Sequence, residues 1–95
     1  MRNSSGNVFR DLGFAPEEAN SLLVRADLMI ELSRIIRARG LTQRSAAKQL
    51  GVSQPRVSDL MRGRIEKFSI DGLIDLLSRM GRQVRVRTTP RRKIA

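Results

Sequence analysis

The segment between residues 43 and 62 constrains the fold most, because small, turn-forming and apolar residues recur there in one consistent register. Thr42 and Ser53 each precede a short helical stretch and can cap its first turn. Ala47 on the first stretch lets a second helix approach closely, and Gly51 can adopt the positive φ that a tight turn needs. The segment therefore predicts two short helices that cross steeply over a tight turn.

Both short helices contribute apolar residues to a shared core. These residues are Ala46, Leu50, Val52, Val57 and Leu60. A small residue, a glycine and several apolar residues, all in the expected register, are typical of the helix-turn-helix that docks on DNA. Such a combined pattern identifies the motif much more specifically than a single short motif does. The alternative is a small helical bundle with the same turn and no DNA to bind.

Two further segments between residues 16 and 81 are also predicted to be helical. Pro16 starts a helical pattern that runs to Arg39, and its apolar face shifts near Asp27, which predicts either two helices or one long bent helix. Ser69 can cap a further helix over 70–80. The predicted fold is all-α, a helix-turn-helix bundle of about five helices.

Two segments of the chain are predicted to form short strands. In Gln83–Arg87, Val84 and Val86 share one face while arginines occupy the other, the pattern of a half-buried strand. A very short strand is also predicted at 7–9. These patterns divide the chain into an N-terminal arm (1–15), the DNA-binding domain (16–81), a C-terminal strand (82–88) and a basic disordered tail (89–95).

The charge of the chain indicates a polyanionic partner. Nineteen Lys and Arg against nine Asp and Glu give a net charge of +10. Nucleic acid is the commonest polyanion for so basic a domain, the alternative being a basic surface kept for solubility.

The chain lacks the residues that usually activate a catalytic nucleophile. His, Cys and Tyr are absent, and the serines and carboxylates have no base beside them that could activate them. We therefore expect that the protein is not an enzyme and binds no metal or cofactor. We also expect that it has no membrane span and is located in the cytoplasm, at the nucleoid.

The outward face of the second helix contains the residues that we expect to contact bases, since a recognition helix inserts its N-terminal residues into the major groove. Gln54 can pair with adenine and Arg56 with guanine, each in bidentate fashion. For Asp59 two roles stay open: it can accept from a cytosine amine, or hold Arg56 or Arg62 three residues away. The predicted base-contacting set is Ser53, Gln54, Arg56, Ser58 and Asp59.

Phosphate contacts are expected around this helix. Thr42 and Gln43 begin the first helix of the motif, where free N–H groups suit a phosphate. A single exposed cation is more often merely solvated, and it is the clustering of several cations around the motif that indicates phosphate contacts. The predicted phosphate-contacting set is Thr42, Gln43, Lys48, Arg62, Arg64 and Lys67.

The motif resembles the lambda-repressor-like, Cro/XRE-type family over roughly residues 28–80, through Leu41–Gln43, Ala46–Ala47, Leu50–Gln54 and Val57–Leu60. More narrowly, Asn7–Phe14, Ser53–Leu60 and Phe68–Leu73 are similar to HigA-type antitoxins and their stand-alone relatives, a match that covers about 7–87. The resemblance implies a homodimer that binds a palindromic operator, often its own promoter. It also implies, as the alternative role, neutralisation of a small ribonuclease toxin of the RelE/HigB-like kind.

Two further expectations concern partners. Residues 11–31 contain five carboxylates and one arginine, so this segment has a charge of −4 and the rest of the chain has +14. A basic toxin should therefore contact the acidic helix in this segment. The alternative is that the segment is an ordinary solvated helix face.

The homodimer is expected to form through the last helix and the strand, with 8–9 as an additional strand. The predicted interface set is Leu76, Met80, Val84 and Val86.

Overall fold

The computed structural model describes residues 7–90, which form five α-helices and one 3-10 turn. The predicted polar start of the arm and the basic tail from residue 91 lie outside the described residues. The elements are α1 (Val8–Asp11), α2 (Pro16–Ala38), α3 (Gln43–Leu50), α4 (Gln54–Met61), the 3-10 turn η1 (Ile65–Lys67) and α5 (Ile70–Arg79).

The long α2 is a single helix, so the first of the two alternatives for residues 16–39 is wrong. Pro16 begins it, where the missing N–H costs nothing, and Glu17 and Glu18 follow in the first turn, where the helix dipole favours negative charge. Its second half packs into the core, while Ala19 in its first half is covered and packs near α1. The helix thus joins the α1 end of the molecule to the bundle.

The core lies between α2, α3, α4 and α5. Leu32 and Ile36 come from α2 and belong to one buried apolar cluster with residues of the later helices. All the predicted core residues of the motif are buried except Val52, which is half-buried against the cluster. The remaining buried members of this cluster are Met29, Ile35, Ala46, Ala47, Leu50, Val57, Leu60, Phe68, Leu73, Leu76, Leu77 and Met80.

Neither predicted strand is present in residues 7–90, and both predictions are wrong for the single chain. At 7–9 the chain enters α1 instead, because the Asn7 side-chain oxygen accepts from the N–H of Phe9 at 2.9 Å and so caps the helix. Residues 82–90 have no regular structure. A strand needs a second strand for its ladder, and the described part of the chain supplies none.

Burial corrects the expectation that Leu76 and Met80 face a partner. Their exposed fractions are 7% and 2%, because both side chains pack inside the chain's own core. Val84 is half-buried against that core, and Val86 is 80% exposed. Of the four predicted interface residues, Val86 is therefore the one with a largely accessible side chain.

None of the helices in residues 7–90 is both long and apolar enough to cross a bilayer.

Candidate DNA-binding surface

Side-chain caps fix the starts of the two helices of the motif. The Thr42 hydroxyl oxygen accepts from the N–H of Ser45 at 3.0 Å at the start of α3. The Ser53 hydroxyl oxygen accepts from the N–H of Arg56 at 3.3 Å at the start of α4. Gly51, at φ 70°, reverses the chain between them. Caps and turn together hold α4 in one orientation against α3.

The first turn of α4 presents polar groups to solvent, while Val57 and Leu60 anchor its opposite face in the core. Ser53 and Gln54 are exposed, so their side chains are available to a duplex. Ser58, Asp59 and Arg56 are half-buried. The five predicted base-contacting residues therefore divide into two that are fully presented and three that share their contacts with the protein.

All six predicted phosphate-contacting residues are exposed. Thr42 and Gln43 begin α3, Lys48 lies in its last turn, and Arg62 ends α4. Arg64 and Lys67 flank and end η1, which connects α4 to α5. The positive side chains thus extend from both ends of the motif into the connection that follows it.

Arg56 is folded back onto the protein. Its Nη1 donates to the carbonyl oxygen of Lys67 at 2.5 Å, and its guanidinium carbon lies 4.1 Å from the ring centroid of Phe68. This is a cation–π contact combined with a charge-assisted hydrogen bond. In this structure Arg56 therefore connects α4 to the start of α5.

Asp59 pairs with a different arginine from the two expected. Its Oδ1 lies 3.8 Å from Nε of Arg64, and the same turn is closed by a hydrogen bond from the Arg64 N–H to the Asp59 carbonyl oxygen. Arg64 follows the positive-φ Gly63, which turns the chain back beside α4. The three-residue spacing to Arg56 or Arg62 therefore does not determine the partner.

Two contacts around the motif could not be predicted from the sequence. Phe68 is identifiable as an apolar residue before α5, but nothing local indicates that Arg56, twelve residues earlier, stacks on it. Arg79 donates to the carbonyl oxygen of Leu50 at 2.6 Å and ties the end of α3 to α5. A cation late in one helix is a general signal for a carbonyl contact, but does not identify which carbonyl accepts.

A second kind of surface lies on α1, α2 and the turn between them. Of the exposed large hydrophobic residues in the described chain, all but Val86 lie between residues 8 and 30. Leu12 and Ile30 are the most accessible of these, with exposed fractions of 69% and 66%. Most of the carboxylates of the −4 segment share this region. Residues 8–30, the apolar and acidic end of the described chain, thus differ in character from the basic motif.

Comparison with known proteins agrees with this geometry. The sequence family described as helix-turn-helix domain matches residues 8–89. A solved structure named as an XRE family transcriptional regulator is similar to this chain, with a TM-score of 0.72 and 32% sequence identity. The similarity covers 82% of this chain and 90% of that one. No curated protein matches the sequence. The match over most of the chain, with the capped pair α3–α4 at its centre, places the protein in the helix-turn-helix family of Cro/XRE-type DNA-binding regulators.

Proposed function

We propose that the protein is a sequence-specific regulator that inserts the first turn of α4 into the major groove of double-stranded DNA. The observation that carries the proposal is the exposed polar start of α4, with Ser53 and Gln54 accessible while Val57 and Leu60 anchor the helix. A Gln amide can donate to and accept from the adenine edge. Such pairing discriminates against other bases by roughly 1–3 kcal/mol.

Backbone contacts would supply most of the affinity. The six exposed residues around the motif would meet phosphates, with the N-terminal N–H groups of α3 adding the partial positive charge of a helix start. A net charge of +10 would draw the chain to any duplex. Sequence selection would then depend on the few base contacts of α4. A protein with this role would act in the cytoplasm, at the nucleoid.

We further propose that it binds a palindromic operator as a homodimer, its own promoter included, and so represses itself. Two half-sites about 34 Å apart suit two copies related by a two-fold axis. Because Leu76 and Met80 are buried, the accessible candidate is the segment around Val86. Two such segments, each lacking a partner strand, would pair side by side across the axis and form the ladder that one chain cannot make.

Selection from a random duplex library followed by gel shift at two salt concentrations tests the central proposal. We expect a preferred two-fold sequence and a steep fall in affinity with salt, as phosphate contacts release counterions. Lys48→Ala should weaken binding to all sequences and reduce the salt slope by about 1. Arg10→Ala removes one exposed positive charge on α1, outside residues 43–62, and is the matched control. Equal affinity for every duplex would contradict sequence-specific regulation.

The apolar and acidic end supports a second candidate function, that of an antitoxin. A basic ribonuclease of the RelE/HigB-like kind would be repelled by the strongly basic remainder of the chain, and attracted by the −4 segment. The exposed side chain of Leu12 would give such a partner an apolar contact close in sequence to the carboxylates of Asp11, Glu17 and Glu18. The toxin would then bind at α1 and the first turns of α2.

Co-expression with the product of the adjacent gene tests this candidate. Pairing should be lost in a Glu17→Lys, Glu18→Lys variant, whose operator binding should be retained. Glu66→Lys reverses one exposed charge outside the acidic segment and is the control. A complex that survives the double reversal, or no complex at all, would contradict the antitoxin role.

A further inference from the structure

We infer that Arg56 is a positioning residue, which locks the first turn of α4 to residues 67–68 and leaves base recognition there to Gln54. The inference deepens the proposed function and rests on it. It departs from the interpretation that Arg56, as the cation in the first turn of the recognition helix, pairs with guanine.

The lock has two contacts on one guanidinium. Nη1 donates to the Lys67 carbonyl oxygen at 2.5 Å, and the flat group lies over the Phe68 ring at 4.1 Å from its centroid. Phe68 is itself held, because its side chain is 3% exposed and its carbonyl oxygen accepts from Arg25 at 3.5 Å. Arg56 is therefore fastened to a rigid part of the core.

Helix formation alone does not account for Arg56. A positive charge in the first turn opposes the helix dipole, so an arginine there is unfavourable unless other contacts offset it. The Lys67 carbonyl and the Phe68 ring supply such contacts. The charge of Arg56 is thereby bound by the protein's own groups rather than presented to the groove.

The lock also relates two parts of the DNA-binding surface. Lys67 has an exposed side chain suited to a phosphate, while its carbonyl oxygen is bound to Arg56. Gln54 stands two residues before Arg56, exposed in the same turn. Arg56 would thus fix the distance between a backbone contact and a base contact. A guanidinium folded toward residues 67–68 does not extend from α4 to form a bidentate pair with guanine.

The test compares the unaltered chain with Arg56→Ala, Phe68→Leu and the double variant. Affinity is measured for the preferred operator and for each of its single-base-pair changes, at a temperature where circular dichroism shows every variant folded. We expect Arg56→Ala to weaken binding to all these duplexes by about tenfold, the size expected on losing one charge-assisted hydrogen bond, with base preferences unchanged. Phe68→Leu should weaken binding in the same pattern, and the double variant should lose less than the two single losses combined.

Arg56→Lys separates the two contacts, since an ammonium can reach the Lys67 carbonyl but lacks the plane that stacks on Phe68. We expect it to restore part of the affinity. Relaxed preference at one base pair in Arg56→Ala would overturn the inference, since it would make Arg56 a base contact. Unchanged affinity with lowered thermal stability would overturn it too, leaving only a structural role. If the unaltered chain prefers no DNA sequence, the proposed function is wrong. The contact between Arg56 and Phe68 can still be tested without DNA, by comparing the thermal stabilities of the two single variants with that of the double variant.

Discussion

A side-chain carbon added at Gly51 would lie 2.9 Å from Nη1 of Arg79. That nitrogen is the one that donates to the Leu50 carbonyl oxygen, and the other terminal nitrogen of the same guanidinium lies 3.0 Å from Asp75. The turn between α3 and α4 therefore needs glycine for its positive φ, and a side chain there would also have to displace the tip of Arg79.

Gly51→Ala should lower the free energy of unfolding by more than left-handed strain alone, which is about 1–2 kcal/mol. Displacing Arg79 would sacrifice its hydrogen bond to Leu50, adding about 1 kcal/mol. Gly40→Ala is the matched control, because Gly40 has φ 64° and no atom within 4 Å of the added carbon. Urea unfolding of both variants measures the difference. Equal losses would show that Arg79 yields without cost.

Ser69→Ala should destabilise the fold by about 1 kcal/mol, because the Ser69 hydroxyl oxygen caps α5 by accepting from the N–H of Gly72 at 3.1 Å. The same hydroxyl bonds to the carboxylate of Asp71 and lowers its pKa. Ser78→Ala makes the same change at an exposed position inside α5 and should be nearly neutral. Thermal unfolding compares them, and equal melting temperatures would contradict the cap.

Gln54→Ala should relax selection at one base pair by about 1–3 kcal/mol, since a bidentate adenine contact would be lost. The salt dependence should be unchanged, because no charge is removed. Gln49→Ala removes an exposed amide in the second half of α3 and is the control. Binding to operators altered one base pair at a time measures the effect. Unaltered selection in the Gln54 variant would move base recognition to other residues.

Glu31 should make stability depend on pH in the acid range. The hydrogen bond from Arg34, aided by the charges of Arg34 and Arg82, lowers the pKa of Glu31 below its usual 4.5. The unfolded state therefore binds this proton more readily, and the stabilisation is complete above about pH 4.5 and lost as pH falls through the native pKa. Glu31→Gln should flatten that part of the curve of unfolding free energy against pH. Glu66→Gln should leave it steep, and two parallel curves would contradict the assignment.

On the proposed homodimer, Val86→Asp should shift the chain from dimer to monomer in sedimentation experiments, because a charge would enter the contact proposed between the two segments around Val86. Val24→Asp places the same charge on α2, at a valine that is 37% exposed, and should leave the dimer intact. The reverse result would transfer the interface to α2. Leu76→Glu cannot serve here, since a charge at that buried position would disrupt the core.

Local signals predicted much of this fold. The predicted α3 and α4 agree with the structure because Thr42, Ser53 and Gly51 act within a few residues of their own positions. The predicted end of α5 differs by one residue, since Met80 is its C-cap. The strand around Val86 was predicted from alternation alone, which says which face is apolar but not whether a second strand is present.

The candidate site was less predictable, because its contacts join distant parts of the chain. Gln54 is exposed, as the helical periodicity predicted, because its exposure depends only on which face of α4 it occupies. The contact of Arg56 with Phe68 and that of Arg79 with Leu50 depend on how η1 and α5 return to the motif. No spacing rule within one helix contains that information.

The two helices of the motif have eight residues each, and such short helices hold no stable shape by themselves in water. A synthetic peptide that reproduces residues 43–62 would contain every base-contacting side chain, yet would be mostly unstructured and a poor competitor for the operator. Heating would have a corresponding effect on the whole protein. Once the core of α2 and α5 melts, nothing keeps α4 helical, so release from DNA should coincide with unfolding, and on the proposed role as a repressor heat would free the promoter.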